Sequence, residues 1–146
     1  MISISVLLGG SPVVSGRPPA REGWVVQLAK IRDDDPEVLL RVENACVDTS
    51  GDLNQFVEIE GRRYSHIIDK ETGLGMVHST LATVVDPSAA LADWLSTALC
   101  VMGPDKGIAY MARNHPGAQA RIVRREDDGT LTVKETPRFA ALLVKK

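Results

Sequence analysis

Leu81-Ala-Thr-Val-Val-Asp-Pro-Ser-Ala-Ala-Leu-Ala-Asp-Trp-Leu-Ser-Thr-Ala-Leu-Cys-Val-Met-Gly-Pro104 is the stretch in which the hydrophobic pattern of this chain changes period. Its first five residues are an apolar, β-branched run, the pattern of a buried strand. From Leu91 onward the apolar residues recur as Leu91, Trp94, Leu95, Ala98, Leu99 and Met102. That is the i, i+3, i+4, i+7, i+8, i+11 spacing of one helical stripe. Asp86 suits the N-cap, and Pro87 suits the first helical position, where its missing N–H costs nothing. Gly103-Pro104 closes the helix. A second, shorter helix is expected over 105–113, before the break at His115-Pro-Gly117.

On either side of this stretch the chain reads as short strands separated by turn residues. Upstream, 3–8 is β-rich and runs into Gly9-Gly10. The segment holding Pro12, Gly16, Pro18 and Pro19 is expected to be an irregular loop, because proline fixes φ and removes donors. Strands are expected over 24–31, 39–42 and 45–49, and a hairpin over 55–59 and 62–67. Gly61 supplies the positive φ of the hairpin turn. Downstream, 120–125 and 130–134 flank Asp128-Gly129 as a second hairpin. Hairpins plus a pair of neighbouring helices predict an α+β fold with a largely antiparallel sheet, short hairpins and two adjacent helices. The 146 residues form one domain, with 136–146 as a candidate flexible tail.

Composition excludes several functions. The chain is 44% hydrophobic and 25% charged, with a formal net charge of -2, near the averages for globular proteins. The acidic balance and an aromatic content of 4% argue against nucleic acid as a partner. No apolar run is long enough to span a bilayer, and the first residues lack the basic region of a signal peptide. A cytoplasmic location is therefore expected for the chain as it stands. Cys46 and Cys100 are too few and too far apart for a disulfide framework or a zinc site, and are expected to pack in apolar surroundings.

Three segments carry possible chemistry. Asp93 and Thr97 are four residues apart, so a carboxylate and a hydroxyl share one helix face. Both are hard oxygen donors suited to Mg²⁺ or Ca²⁺, although such a pair is also commonplace on solvated helices. Asp48-Thr-Ser-Gly-Asp52 is a polar, glycine-containing turn that could cradle an anion or simply reverse the chain. His66 and Asp69 leave a strand for a loop, a common placement for site residues. Ser65 and His66 are strand neighbours whose side chains point to opposite faces, which disfavours a serine-hydrolase pair.

Taken in order, these segments resemble the C-terminal half of an ApbE-type FAD:protein FMN transferase. The resemblance runs from about residue 3 to about residue 113. It is carried by Gly9-Gly10, Thr49-Ser-Gly-Asp52, Gly61-Arg-Arg-Tyr-Ser-His-Ile-Ile-Asp69 with Thr72-Gly73, Ala82-Thr-Val-Val-Asp-Pro87, Ala92-Asp-Trp-Leu-Ser-Thr-Ala-Leu99 and Met102-Gly-Pro104. It implies that Asp93 and Thr97, with the backbone of Ser96, bind a divalent cation such as Mg²⁺. It further implies that His66, Ile68 and Asp69, with Ser50 and Gly51, contact FAD. The implied reaction moves FMN from FAD to a threonine of a target protein, so no protein nucleophile or certain catalytic residue is expected here.

The chain also departs from the family pattern. Gly-Gly-Asp is Gly9-Gly10-Ser11, and Asp-Pro-Arg-Thr-Gly is Asp69-Lys-Glu-Thr-Gly73. The family's N-terminal half has no counterpart, so the site is expected to need a separate chain carrying that half, or self-association. The alternative is a non-catalytic flavin-binding or assembly module derived from the family. Relatives are often exported.

Overall fold

The computed structural model describes residues 3–8, 10–53 and 55–144. Gly9 and residues 145–146 of the expected tail therefore lie outside the described residues. Six strands form one antiparallel sheet: β1 (Ile4–Leu8), β2 (Ser11–Ser15), β5 (Ala45–Gly51), β8 (Thr80–Asp86), β9 (Gln119–Arg125) and β10 (Leu131–Glu135), side by side in that order. Two further hairpins stand outside it: β3 (Trp24–Gln27) with β4 (Leu39–Val42), and β6 (Phe56–Ile59) with β7 (Arg62–Ser65). The fold is α+β with a mainly antiparallel sheet.

The apolar run expected as a buried strand is β8, all of whose apolar residues are buried. Its Ala82 and Val84 pack with Cys46, Leu95, Leu99, Met111 and Ile122 beneath the helix α1 (Ala89–Asn114). Val85, pointing the other way, joins Val14, Val47, Leu40, Val42 and Phe139 in a second apolar layer under the β3–β4 hairpin. Strand alternation thus distributes one short apolar run between two layers.

The helical region α1 is two helices joined end to end, as expected, divided at Gly103, whose φ of 73° and ψ of 179° are non-helical. Pro104 resumes the helix. The positive φ favours glycine here; a Cβ would also meet the Arg124 guanidinium at 2.2 Å, which a shift of that flexible side chain could relieve. The helix starts later than expected. Ser88 is the N-cap, accepting from the Leu91 amide, while Asp86 accepts from the Ser88 amide at 2.8 Å in the turn before it. The buried face is also rotated, running through Ala92, Leu95, Ser96, Leu99 and Cys100, and Trp94 is 51% exposed.

Two other expectations are corrected. The segment around Pro12 is not irregular but forms β2, pairing with β1 along its length. Pro12 is tolerated because β5 pairs with β2 only at Val13 and Val14, so the absent donor interrupts no bond on that side. The stretch after Thr136, expected as a tail, forms a 3-10 turn, Phe139–Leu142, with Phe139 fully buried. An apolar ring with room beneath the β3–β4 hairpin is more stable packed than solvated. Glu60 and Gly61 both take positive φ, the requirement of the tight turn between β6 and β7. No described helix is long and apolar enough to cross a membrane.

Replacing Phe139 by alanine is expected to cost about 3–5 kcal/mol in urea denaturation. A chain end that does not pack would leave the unfolding midpoint unchanged.

Candidate functional site

Alternation along β5 turns Cys46, Asp48 and Ser50 toward α1. Asp48 is 5% exposed, yet both carboxylate oxygens are satisfied: Ser11 Oγ donates to Oδ1 and Ser96 Oγ to Oδ2. The cluster continues outward from there. Ser50 Oγ lies 2.7 Å from Ser96 Oγ and 2.9 Å from Thr97 Oγ1, and Thr97 Oγ1 lies 3.3 Å from the Asp93 carbonyl. Asp48, Ser96, Ser50 and Thr97 therefore form a line of oxygens from the core to an exposed helix face.

His66 follows the end of β7. Its ring Nδ1 is 3.0 Å from the Gln55 carbonyl, which only accepts. Nδ1 must therefore carry a proton, leaving Nε2 of the neutral ring as an acceptor. His66 lines two neighbouring clefts. One, of about 580 Å³, is bordered by Gly10, Ser11, Thr49, Ser50 and Gly51. The other, of about 540 Å³, sets His66 and Ile68 opposite Asp93, Trp94, Thr97 and Val101. A third cleft, of about 250 Å³, is shared by Ser11, Cys46, Asp48 and Asp93.

The residues singled out in the sequence thus largely converge. His66, Ile68, Asp93 and Thr97 share one cleft, and Ser50 and Gly51 meet His66 in the next. Ser96 is nearby but buried, its hydroxyl turned to Asp48. Asp69 lines neither of these clefts. Its Oδ1 accepts from the Glu71 amide at 2.9 Å, and its carbonyl from the Gly73 amide at 2.8 Å, so it shapes the loop that follows Ile68. Among the described residues, no group of three or more His, Cys, Asp or Glu side chains is arranged to hold a metal ion. The available donors are instead carboxylates and hydroxyls.

Sequence reasoning did not single out Asp48 as the centre of this network, nor Trp94 as a cleft wall. The period-two pattern of β5 was the available signal for Asp48, since it puts a carboxylate on the face that Cys46 shares with the core. A second buried acid, Asp52, pairs with Arg63 at 3.2 Å, and Arg63 stacks 3.6 Å over the Phe56 ring. This ion pair ties the β6–β7 hairpin to the end of β5.

Burial pushes the Cys100 thiol up to about 12, with the charges of Asp52 and Asp48 adding to the effect. Burial also raises Cys46, reinforced by Asp48, Asp93 and Asp86. Both cysteines are free.

An antiparallel sheet backed by a long, kinked helix is the fold this chain shares with solved ApbE flavin transferases. The ApbE family model matches residues 2–122, and this chain belongs to the ApbE family. It is 31% identical over 142 residues to the FAD:protein FMN transferase of Klebsiella pneumoniae (strain 342), covering 95% of this chain and 40% of that protein. The crystal structure of Pseudomonas stutzeri flavinyl transferase ApbE in its apo form superposes with a TM-score of 0.77 at 35% identity, over 99% of this chain and 44% of that one. The ApbE protein of Thermotoga maritima gives a TM-score of 0.80 at 26% identity, over 98% and 45%. The chain thus spans less than half the length of these relatives.

Raised thiol pKa values keep both cysteines protonated at pH 8, and only a thiolate is nucleophilic. The folded protein is expected to resist iodoacetamide at that pH and to label at both cysteines in denaturant. Rapid labelling of the folded chain would contradict the burial described here.

Proposed function

We propose that these residues form one wall of a FAD:protein FMN transferase site. The observation that carries this reading is the cleft in which His66 and Ile68 face Asp93 and Thr97. The names of the relatives support FAD as the substrate and a protein as the acceptor. On this reading Ser50, Gly51 and His66 contact FAD, while Asp69 acts indirectly by holding the loop that presents Ile68.

The donor chemistry fits a hard divalent cation such as Mg²⁺. Asp93 and Thr97, with the Ser96 backbone, would hold it. Neither Asp93 nor Asp48 pairs with a basic side chain among the described residues, so the negative charge there is uncompensated. Two side chains fall short of an octahedral shell, and substrate phosphates and water would complete it. When bound, the cation neutralises charge developing on the pyrophosphate. The reaction breaks the phosphoanhydride of FAD. The acceptor threonine oxygen bonds to the FMN phosphorus, AMP departs with the bridging oxygen, and the hydroxyl proton is released. His66 Nε2, an acceptor in the neutral ring, would receive a hydrogen bond from substrate.

The remainder of the site would come from polypeptide beyond these residues, a separate chain or a second copy. A second reading, a flavin-binding or assembly module without transferase activity, draws on the commitment of Asp48 to two hydroxyls. That leaves Asp93 as the exposed carboxylate of the proposed cation site. FAD binding without AMP release in the presence of acceptor protein would favour it.

Calorimetric titration with FAD and Mg²⁺ tests the site directly. The parent chain is expected to bind FAD in a cation-dependent manner, and Asp93→Ala to weaken binding at least about tenfold. Absence of binding by the parent, or equal binding by Asp93→Ala, would refute the assignment.

A further inference from the structure

Asp48 has no role in the site as proposed, yet it is nine-tenths buried, and the hydroxyls of its network extend to Thr97. We propose that Asp48 is a positioning residue for the cation-binding hydroxyl of Thr97, acting through Ser96 and Ser50. This inference rests on the reading of Asp93 and Thr97 as a cation site.

The number of protons available fixes the direction of these hydrogen bonds. A carboxylate only accepts, and each serine or threonine hydroxyl has one proton to give. Ser96 Oγ has two acceptors in reach, Asp48 Oδ2 and the Asp93 carbonyl at 2.9 Å. The bond to the charged acceptor is the stronger, so the Ser96 proton goes to Asp48. Ser96 Oγ must then accept from Ser50, 2.7 Å away. Ser50, having given its proton inward, can only accept from Thr97 at 2.9 Å. The order is Thr97 to Ser50 to Ser96 to Asp48. Thr97 consequently directs its proton into the protein and keeps its oxygen lone pairs for the cleft, as a hard-cation ligand requires.

Removing the carboxylate removes the fixed end of the chain. Ser96 can then turn its proton to the Asp93 carbonyl at 2.9 Å or to Ser50, so the direction of the chain is no longer fixed. Where Ser96 donates to Ser50 and Ser50 to Thr97, a Thr97 lone pair is consumed and the Thr97 proton turns to the Asp93 carbonyl at 3.3 Å. Ser11, which donates to the other oxygen of Asp48, fixes the carboxylate from β2. The assembly therefore joins β2, β5 and α1 in one polarised hydrogen-bond network of the kind that tunes metal ligands from behind.

The experiment is a Mn²⁺ titration of the whole chain, read from loss of the free-ion electron paramagnetic resonance signal. Circular dichroism confirms the fold of each variant. Asp48→Asn, which cannot accept from both serines, is expected to weaken Mn²⁺ binding about tenfold. Ser96→Ala is expected to do the same and covers the case in which Asp48→Asn does not fold. In a Ser50→Ala background, where the link to Thr97 is already cut, Asp48→Asn should add little. Parent-like affinity in folded Asp48→Asn or Ser96→Ala overturns the positioning role while leaving the cation site intact. So does a full additional loss in the Ser50→Ala background. No Mn²⁺ binding by the parent overturns the site reading and this inference together.

Discussion

A carboxylate buried between strand and helix must be satisfied where it sits, because an unpaired charge in the interior costs several kcal/mol. Asp48 meets that constraint with two hydroxyls from distant parts of the chain, Ser11 on β2 and Ser96 on α1. The helix can lie on the sheet only in a rotation that turns Ser96 inward. That rotation brings Ser96 onto the buried face, leaves Trp94 exposed, and carries Asp93 and Thr97 to the rim of the clefts near His66. Packing and site geometry therefore share one determinant.

The elements legible in the sequence are those whose pattern is local. The apolar run of β8, the Glu60-Gly61 turn and the Gly103-Pro104 break declare themselves within a few residues. The misread elements depend on partners remote in sequence. Pro12 reads as a loop residue until β5 is seen to pair with β2 only beyond it. The buried side chain of Ser96 answers an acid 48 positions earlier, a partner no local pattern announces. Phe139, in a short apolar segment, gives no sign of the space that awaits it beneath the β3–β4 hairpin.

The candidate site was legible to a similar extent and for a similar reason. Asp93 and Thr97 are linked by helical spacing, and His66 and Ile68 by strand-to-loop position. Their meeting across one cleft depends on how α1 crosses the sheet, which no local pattern encodes. Asp69 lines neither of the two clefts at His66, and its side chain and carbonyl both accept hydrogen bonds within the 69–74 turn.

The central claim is that one place on the surface, between the start of α1 and the end of β7, receives both a hard cation and the flavin nucleotide. Paramagnetic broadening in an amide NMR spectrum locates that place. With Mn²⁺ and FAD added together, resonances of 48–51, 66–68 and 93–97 should broaden first, while those of β10 and the Phe139–Leu142 turn remain sharp. Broadening centred elsewhere, or none in those three segments, would contradict the account.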